Sequence, residues 1–283
     1  MQFNEAQIQA IQHNTGPCMV IAGPGSGKTT VLTHRVRYLI ERYGVNPSDI
    51  LVITFTKAAA EQMKLKFKGL SEGRNSAVTF GTFHAVFFTI LKAAYNYSAH
   101  CIIKPQIQHE FVKDQMCRLE LEYDDEKEAV AGVLSEISCV KGEAVNIDEY
   151  ESRCIPPQSF RIMYRAYDDM LVRKHLIDFD DMIVQCRELL MQREDYRRAW
   201  QNKYKYILID EFQDINKAQF DVVRILADEY RNLFVVGDDD QSIYGFRGAR
   251  PEIMLNFEKD FSDVKKVFLS VNYRSQAAIV RGA

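Results

Sequence analysis

The chain has 283 residues, 47% hydrophobic and 27% charged, a globular composition long enough for about two domains. No apolar run approaches the ~18 residues needed to span a bilayer, and Met1–Glu5 lacks the basic start of a secretory signal, so a cytoplasmic protein is expected. The net charge of -3 does not mark a nucleic-acid binder, but it is uneven: +5 over residues 1–100, -7 over 101–200 and -1 over 201–283, a shift that implies a domain boundary.

In chain order, Cys18-Met19-Val20-Ile21-Ala22 reads as a buried strand. After a glycine-rich turn, Val31, Leu32, Val36, Leu39, Ile40 and Tyr43 recur at helical spacing, and Gly44 suits the stop. Ile50–Phe55 is a second strand, followed by an alanine-rich helix over 58–68, and Ala77–Phe80 is a third strand. Residues 90–178 carry few strand-like runs. Segments 110–121 and 160–172 read as helices there, punctuated by Lys141-Gly142 and Pro156-Pro157. Strands return at Tyr206–Asp210, Leu233–Gly237 and Lys266–Leu269. Continuous apolar strands separated by helices predict a parallel sheet covered on both faces, with a mostly helical insertion.

The six cysteines, at 18, 101, 117, 139, 154 and 186, form no CxxC pair. That argues against a zinc ribbon, chain length argues against a disulfide scaffold, and reduced, mostly buried thiols are expected. The six histidines show no metal-binding spacing. Asp238-Asp239-Asp240 lacks the spacing of a calcium loop.

Ala22-Gly23-Pro24-Gly25-Ser26-Gly27-Lys28-Thr29 follows a strand and opens a helix, which is the context a phosphate loop requires. Its glycines let backbone N–H groups turn inward around an anion, and the helix N-terminus adds partial positive charge. Lys28 has the reach for β- and γ-phosphates, and the Thr29 hydroxyl suits Mg²⁺; Thr30, next in the run, is counted with the nucleotide-binding residues. Asp210-Glu211 ends an apolar strand. Such a pair is often a solvated loop start. Beside a phosphate loop it suits Mg²⁺ (Asp210) and activation of the attacking water (Glu211).

Several motifs occur in order: Phe3-Asn4-Glu5-Ala6-Gln7, the phosphate loop, Ile53-Thr54-Phe55-Thr56, Thr82-Phe83-His84, Asp178-Phe179-Asp180-Asp181, Asp210-Glu211-Phe212-Gln213-Asp214, the run 236–249 and Asn272-Tyr273-Arg274-Ser275. Over nearly its whole length the chain resembles the superfamily 1A DNA helicases of the UvrD/Rep/PcrA type. The resemblance implies a RecA-like P-loop NTPase domain made of residues 1–89 and 179–283, with 90–178 as the helical insertion. It also implies ATP and Mg²⁺ as cofactors, single-stranded or partly duplex DNA as partner, 3′ to 5′ movement and no membrane.

On the same ground Gln7 reads the adenine edge and Tyr273 stacks on the base. Gln241 touches the γ-phosphate, Arg274 stabilises charge on the transferring phosphoryl group, and Arg35 approaches the nucleotide. Phe55, Thr56, Thr82, His84, Tyr244, Phe246 and Arg247 line the single-strand path, where aromatic faces stack on any base. From periodicity alone Phe55 is a core residue and His84 a structural one. Two departures stand out: the Lys of many relatives' Thr-Asn-Lys-Ala-Ala is displaced to Lys57, and Phe246 stands where many have Trp. In this family a second RecA-like domain follows the last motif. The chain is therefore expected to be the N-terminal portion of a longer protein, monomeric by itself. The motor part of an AddA/RecB-like helicase–nuclease and a catalytically idle ATP- and DNA-binding protein are the alternatives.

Overall fold

A computed structural model describes residues 3–71, 76–238 and 250–274. The six apolar runs become β1 (Cys18–Ala22), β2 (Ile50–Thr54), β3 (Thr79–Thr82), β4 (Tyr206–Ile209), β5 (Leu233–Gly237) and β6 (Lys265–Leu269). They pair in the order β3-β2-β4-β5-β1-β6, every pair parallel. Helices α1 (Glu5–Gln12), α2 (Lys28–Tyr43), α3 (Lys57–Leu70) and α4 (Phe83–Ala94) alternate with the first strands. Helices α5 (Pro105–Arg118), α6 (Glu126–Glu143) and α7 (Pro157–Arg173) form the inserted region. Helices α8 (Phe179–Gln192), α9 (Glu194–Lys203), α10 (Lys217–Ala227), α11 (Pro251–Leu255) and α12 (Phe257–Asp260) complete the fold.

Side chains alternate across a strand, and that period divides the core in two. Met19, Leu51, Ile53, Ile207, Ile209 and Val235 face α4, α8 and α10. Val20, Val52, Leu208, Phe234 and Val236 face α1, α2 and α3. Both faces are buried, which is why these strands read as unbroken apolar runs. Each buried Leu, Ile or Val contributes about 1.5–3 kcal/mol relative to exposure. The third strand lies two residues later than the sequence indicates. It is an edge strand whose paired residues, Thr79, Phe80, Gly81 and Thr82, are only half-buried, so hydropathy does not mark it.

The inserted helices build their own core from Val112, Met116, Val133, Ile137, Val140, Phe160, Met163 and Tyr167. The chain enters and leaves through a neck, where Ile177 N–H donates to Cys101 O at 2.7 Å and Ile103 N–H to Ile177 O at 3.0 Å. Helix α4 runs through residue 90, and its Ile90 and Leu91 belong to the sheet-side core. Lys141-Gly142 does not break the chain as expected: it lies inside the last turn of α6, and Ala144 in left-handed conformation (φ 53°) ends the helix. Gly142 instead permits close approach, since a Cβ there would meet Asn216 Nδ2 at 3.1 Å.

The cysteine expectation also needs correction. All six are free, but only Cys18 and Cys186 are buried, while Cys117 and Cys154 are exposed. Cys117 follows buried Met116 by one residue, and about 100° of helical turn carries it out of the core.

Candidate active site

In an all-parallel sheet the carboxyl ends of the strands share one edge, where ligands of open α/β folds bind. The phosphate loop follows β1, Phe55 and Thr56 follow β2, and Thr82 ends β3. Asp210 and Glu211 follow β4, Asp238 follows β5, and Tyr273 and Arg274 lie shortly beyond β6. Topology thus brings residues far apart in the chain to one edge.

The loop is held open by glycine and closed by side chains. Gly25 (φ 73°) and Gly27 (φ 91°) take left-handed conformations that L side chains rarely adopt. A Cβ on Gly25 would also collide with Asn272 and lie 2.8 Å from Arg274 Cβ, so the segment carrying Arg274 rests directly on the loop. Ser26 Oγ donates to Gly23 O at 2.7 Å, and Pro24 stands exposed at the rim. Gln7 braces the loop: its Nε2 donates to Ser26 O at 3.1 Å, and its Oε1 accepts from Asn4 N–H at 3.2 Å. Those bonds use one of the amide's two N–H groups and one of its two lone pairs. Tyr273 N–H donates to Gly25 O at 2.9 Å, its hydroxyl accepts from Asn4 Nδ2 at 2.8 Å, and its ring is 56% exposed. Asn4, which caps α1, therefore joins the two residues expected at adenine.

Lys28 opens α2 and points toward the tips of β4 and β5. Its Nζ is 3.5 Å from Glu211 Oε2 and 3.5 Å from Asp238 Oδ2. Asp210 is buried, its N–H bonded to Ile53 O, and its Oδ1 has no hydrogen-bond partner. Burial, then the Glu211 charge, pushes the Asp210 carboxyl up to about 7 against the pull of Lys28. Glu211 sits at φ 53°, a left-handed conformation that costs a non-glycine residue about 1–3 kcal/mol. Gln213 bonds both the Glu211 carboxylate (2.9 Å) and Asp238 N–H (3.0 Å). Two carboxylates thus meet one lysine, and the neighbouring Asp210 keeps an orphaned buried oxygen, the kind of hard donor a divalent cation takes.

Beside this centre a cavity of about 690 Å³ opens between the sheet edge and the inserted helices. Phe55, Thr56, His84 and Phe179 line one side; Gln108, Leu134 and Tyr167 line the other. Phe55 is half-buried and rests on Phe83 at 5.1 Å, so it is both core and wall. His84 meets Phe179 edge-on at 5.2 Å. Thr56 and Thr82 cap α3 and α4: their hydroxyls accept from Ala59 N–H and Ala85 N–H at 3.1 and 3.2 Å. Thr82 does not line the cavity but fixes the helix that carries His84. Gln241, Tyr244, Phe246 and Arg247 lie outside the described residues.

Arg35, expected near the nucleotide, spends its guanidinium on the protein itself. It is buried, lies over the Phe234 ring at 4.4 Å and donates to the backbone carbonyl of His13, tying α1 to α2. A residue the sequence does not flag is Lys66, whose Nζ donates to Thr30 Oγ1 at 2.7 Å across the α2–α3 contact. Phe179 is a second. Its motif is legible in the sequence, but its 54% exposure on the cavity wall is not.

The family of the UvrD/REP helicase N-terminal domain matches residues 3–262. Among curated proteins, the chain is 38% identical to a putative ATP-dependent DNA helicase, YjcD, of Bacillus subtilis, over 99% of this chain and 38% of that protein. It is 36% identical to the ATP-dependent DNA helicase PcrA of Staphylococcus epidermidis and to that of Staphylococcus aureus, in each case over 99% of this chain and 39% of the relative. The chain spans about two fifths of the length of the relatives it matches. Among the described residues no helix is long and apolar enough to cross a membrane.

Proposed function

The chain belongs to the UvrD/REP helicase family, and from that premise we propose that it is the ATP-binding half of a cytoplasmic 3′–5′ DNA helicase. The convergence of Lys28, Glu211 and Asp238, beside a buried Asp210 oxygen without a partner, carries this reading. It is what a site for a magnesium-bound triphosphate needs before its ligand arrives.

In this reading the amides of residues 25–29 cradle the β- and γ-phosphates, and Lys28 turns from its carboxylates toward them. Thr29 and Asp210 hold Mg²⁺, which when bound neutralises charge on the phosphate oxygens. Glu211 accepts a proton from the attacking water. Arg274, carried against Gly25, faces the transferring phosphoryl group. Gln7 and Tyr273 flank the base on either side of Asn4. Gln241 contacts the γ-phosphate.

The cavity takes unpaired DNA. Phe55, His84 and Phe179 offer ring faces to bases of any sequence, and the N-terminus of α3, with the hydroxyl hydrogen of Thr56, faces the backbone phosphates, while Thr82 caps the helix that carries His84. By the resemblance, Tyr244, Phe246 and Arg247 also contact the strand. A second motor domain contributes the far wall of the nucleotide site.

The intact protein is expected to hydrolyse Mg-ATP faster when single-stranded DNA is present. Phe179→Ala is expected to weaken single-strand binding by about 1–3 kcal/mol at fixed salt, measured by fluorescence anisotropy. ATP turnover indifferent to DNA, together with unchanged binding by Phe179→Ala, would refute the assignment.

A further inference from the structure

Gln213 lies in the turn Phe212–Asp214, immediately after the strained Glu211, and is only 3% exposed. Its Oε1 accepts from Asp238 N–H at 3.0 Å, and its Nε2 donates to Glu211 Oε2 at 2.9 Å. The orientation of this amide is not arbitrary. A backbone N–H only donates, so the amide oxygen must face β5, and the NH₂ group must then face Glu211. The seat is cut to fit. A Cβ on Gly237 would lie 3.0 Å from Gln213 Oε1, 3.2 Å from its backbone N and 2.9 Å from Met254 Sδ, so bare backbone at Gly237 is what admits the amide.

Glu211 has two holders of different kinds. Lys28 is a cation at 3.5 Å, shared with Asp238, and Gln213 is a neutral donor at hydrogen-bond distance. If Lys28 turns to the phosphates when nucleotide binds, only one of the two remains. A neutral amide suits that position, because it fixes the carboxylate's direction without the charge withdrawal a cation would impose on a base.

We propose that Gln213 is the positioning residue for Glu211, holding its carboxylate aimed at the attacking water once Lys28 has moved to the phosphates. This rests on the ATP-hydrolysing reading above and adds to it a residue that touches neither nucleotide nor DNA.

The test is steady-state ATP hydrolysis by the intact protein with saturating single-stranded DNA, alongside binding of a fluorescent ATP analogue. Gln213→Glu keeps an acceptor for Asp238 N–H but removes the donor to Glu211. It is expected to lower kcat about 10- to 100-fold, with KM and analogue affinity within about twofold. Gly237→Ala, which unseats the amide without changing any polar group, is expected to show the same split more weakly. A purely structural role predicts near-normal kcat for Gln213→Glu. That result, or a KM rise matching the kcat loss, overturns the proposal. Variants are compared at equal folded fraction by near-UV circular dichroism, and if Gln213→Glu folds poorly the Gly237→Ala split decides. Absence of ATP hydrolysis in the unmodified protein is a separate outcome, which defeats the underlying reading instead.

Discussion

Two lysines, partly buried Lys28 and buried Lys141, face clusters of carboxylates, and the clusters are built differently. Lys141 Nζ lies 2.7 Å from Asp181, 3.0 Å from Asp178 and 3.1 Å from Asp168, with the Tyr167 ring 5.2 Å away. All three of its donors have a partner at hydrogen-bond distance. The lysine comes from α6, and its partners come from α7, from the cap of α8 and from α8 itself, so the cluster bolts the inserted helices to the sheet-bearing part. Lys28 has two carboxylates, both at 3.5 Å, and the neighbouring Asp210 oxygen has no partner. A saturated cluster is a clasp. A loose one beside an orphaned acceptor suits the ligand seat proposed above, because its groups would lose little on exchanging one another for phosphate and metal.

The largest expected effect breaks the clasp. Lys141→Met leaves buried Asp178, partly buried Asp181 and half-exposed Asp168 without their cation, and breaking the one buried pair should cost about 3–5 kcal/mol of stability, read from urea unfolding. Nucleotide affinity of the molecules that remain folded should change little. A stability loss under about 1 kcal/mol would mean that water already serves these carboxylates.

Lys28→Ala should give the opposite profile. ATP turnover should fall about 10²–10³-fold, the cost of removing one donor to developing charge. The unfolding midpoint should stay within a few degrees of wild type, because the lost ion pairs are long. If this variant unfolds as readily as Lys141→Met, the two clusters act alike and the contrast between them is false.

What the sequence made legible follows from these differences. Buried parallel strands are unbroken apolar runs, so five of the six fell where expected, and whatever follows a strand end lies at the ligand edge. The phosphate loop was legible because left-handed turns demand glycine at Gly25 and Gly27. Hydropathy missed β3 by two residues because an edge strand shows only half of the signal. The Lys141 clasp was hidden: its partners stand 27, 37 and 40 residues away, and Lys141-Gly142 looks like a helix breaker. Arg35, Gln213 and Lys66 were ambiguous for the same reason, since a polar side chain declares its partner only once tertiary contacts exist. The resemblance supplied Gln7, Tyr273 and Arg274. No periodicity points to them.

The smallest effect concerns the charge balance inside the clasp. One lysine cannot neutralise three carboxylates. Burial, then the Asp178 charge, pushes the Asp181 carboxyl up to about 7, with Lys141 pulling the other way. Asp168 is raised too, first by burial, and Tyr164 and Tyr167 beside the cluster are likewise pushed up by burial. Burial alone would lower Lys141, but Asp178, Asp181 and Asp168 outweigh it and hold the ammonium well above its ordinary value, so it stays charged. A carboxyl raised on folding binds its proton more tightly in the folded chain than in the unfolded one, where it titrates near about 3.9. Its contribution to stability is complete below that value and is lost as pH climbs through about 7. Asp181→Asn keeps an acceptor for Lys141 and cannot ionise. Variant and wild type should melt most nearly alike at about pH 4, near the unfolded value, and diverge as pH rises. At about pH 8 the variant should melt a few degrees higher, at roughly 2–4 °C per kcal/mol for a chain of this order of size. A melting difference that stays flat across that range would show that Asp181 is ionised throughout, and that the clasp carries its full negative charge.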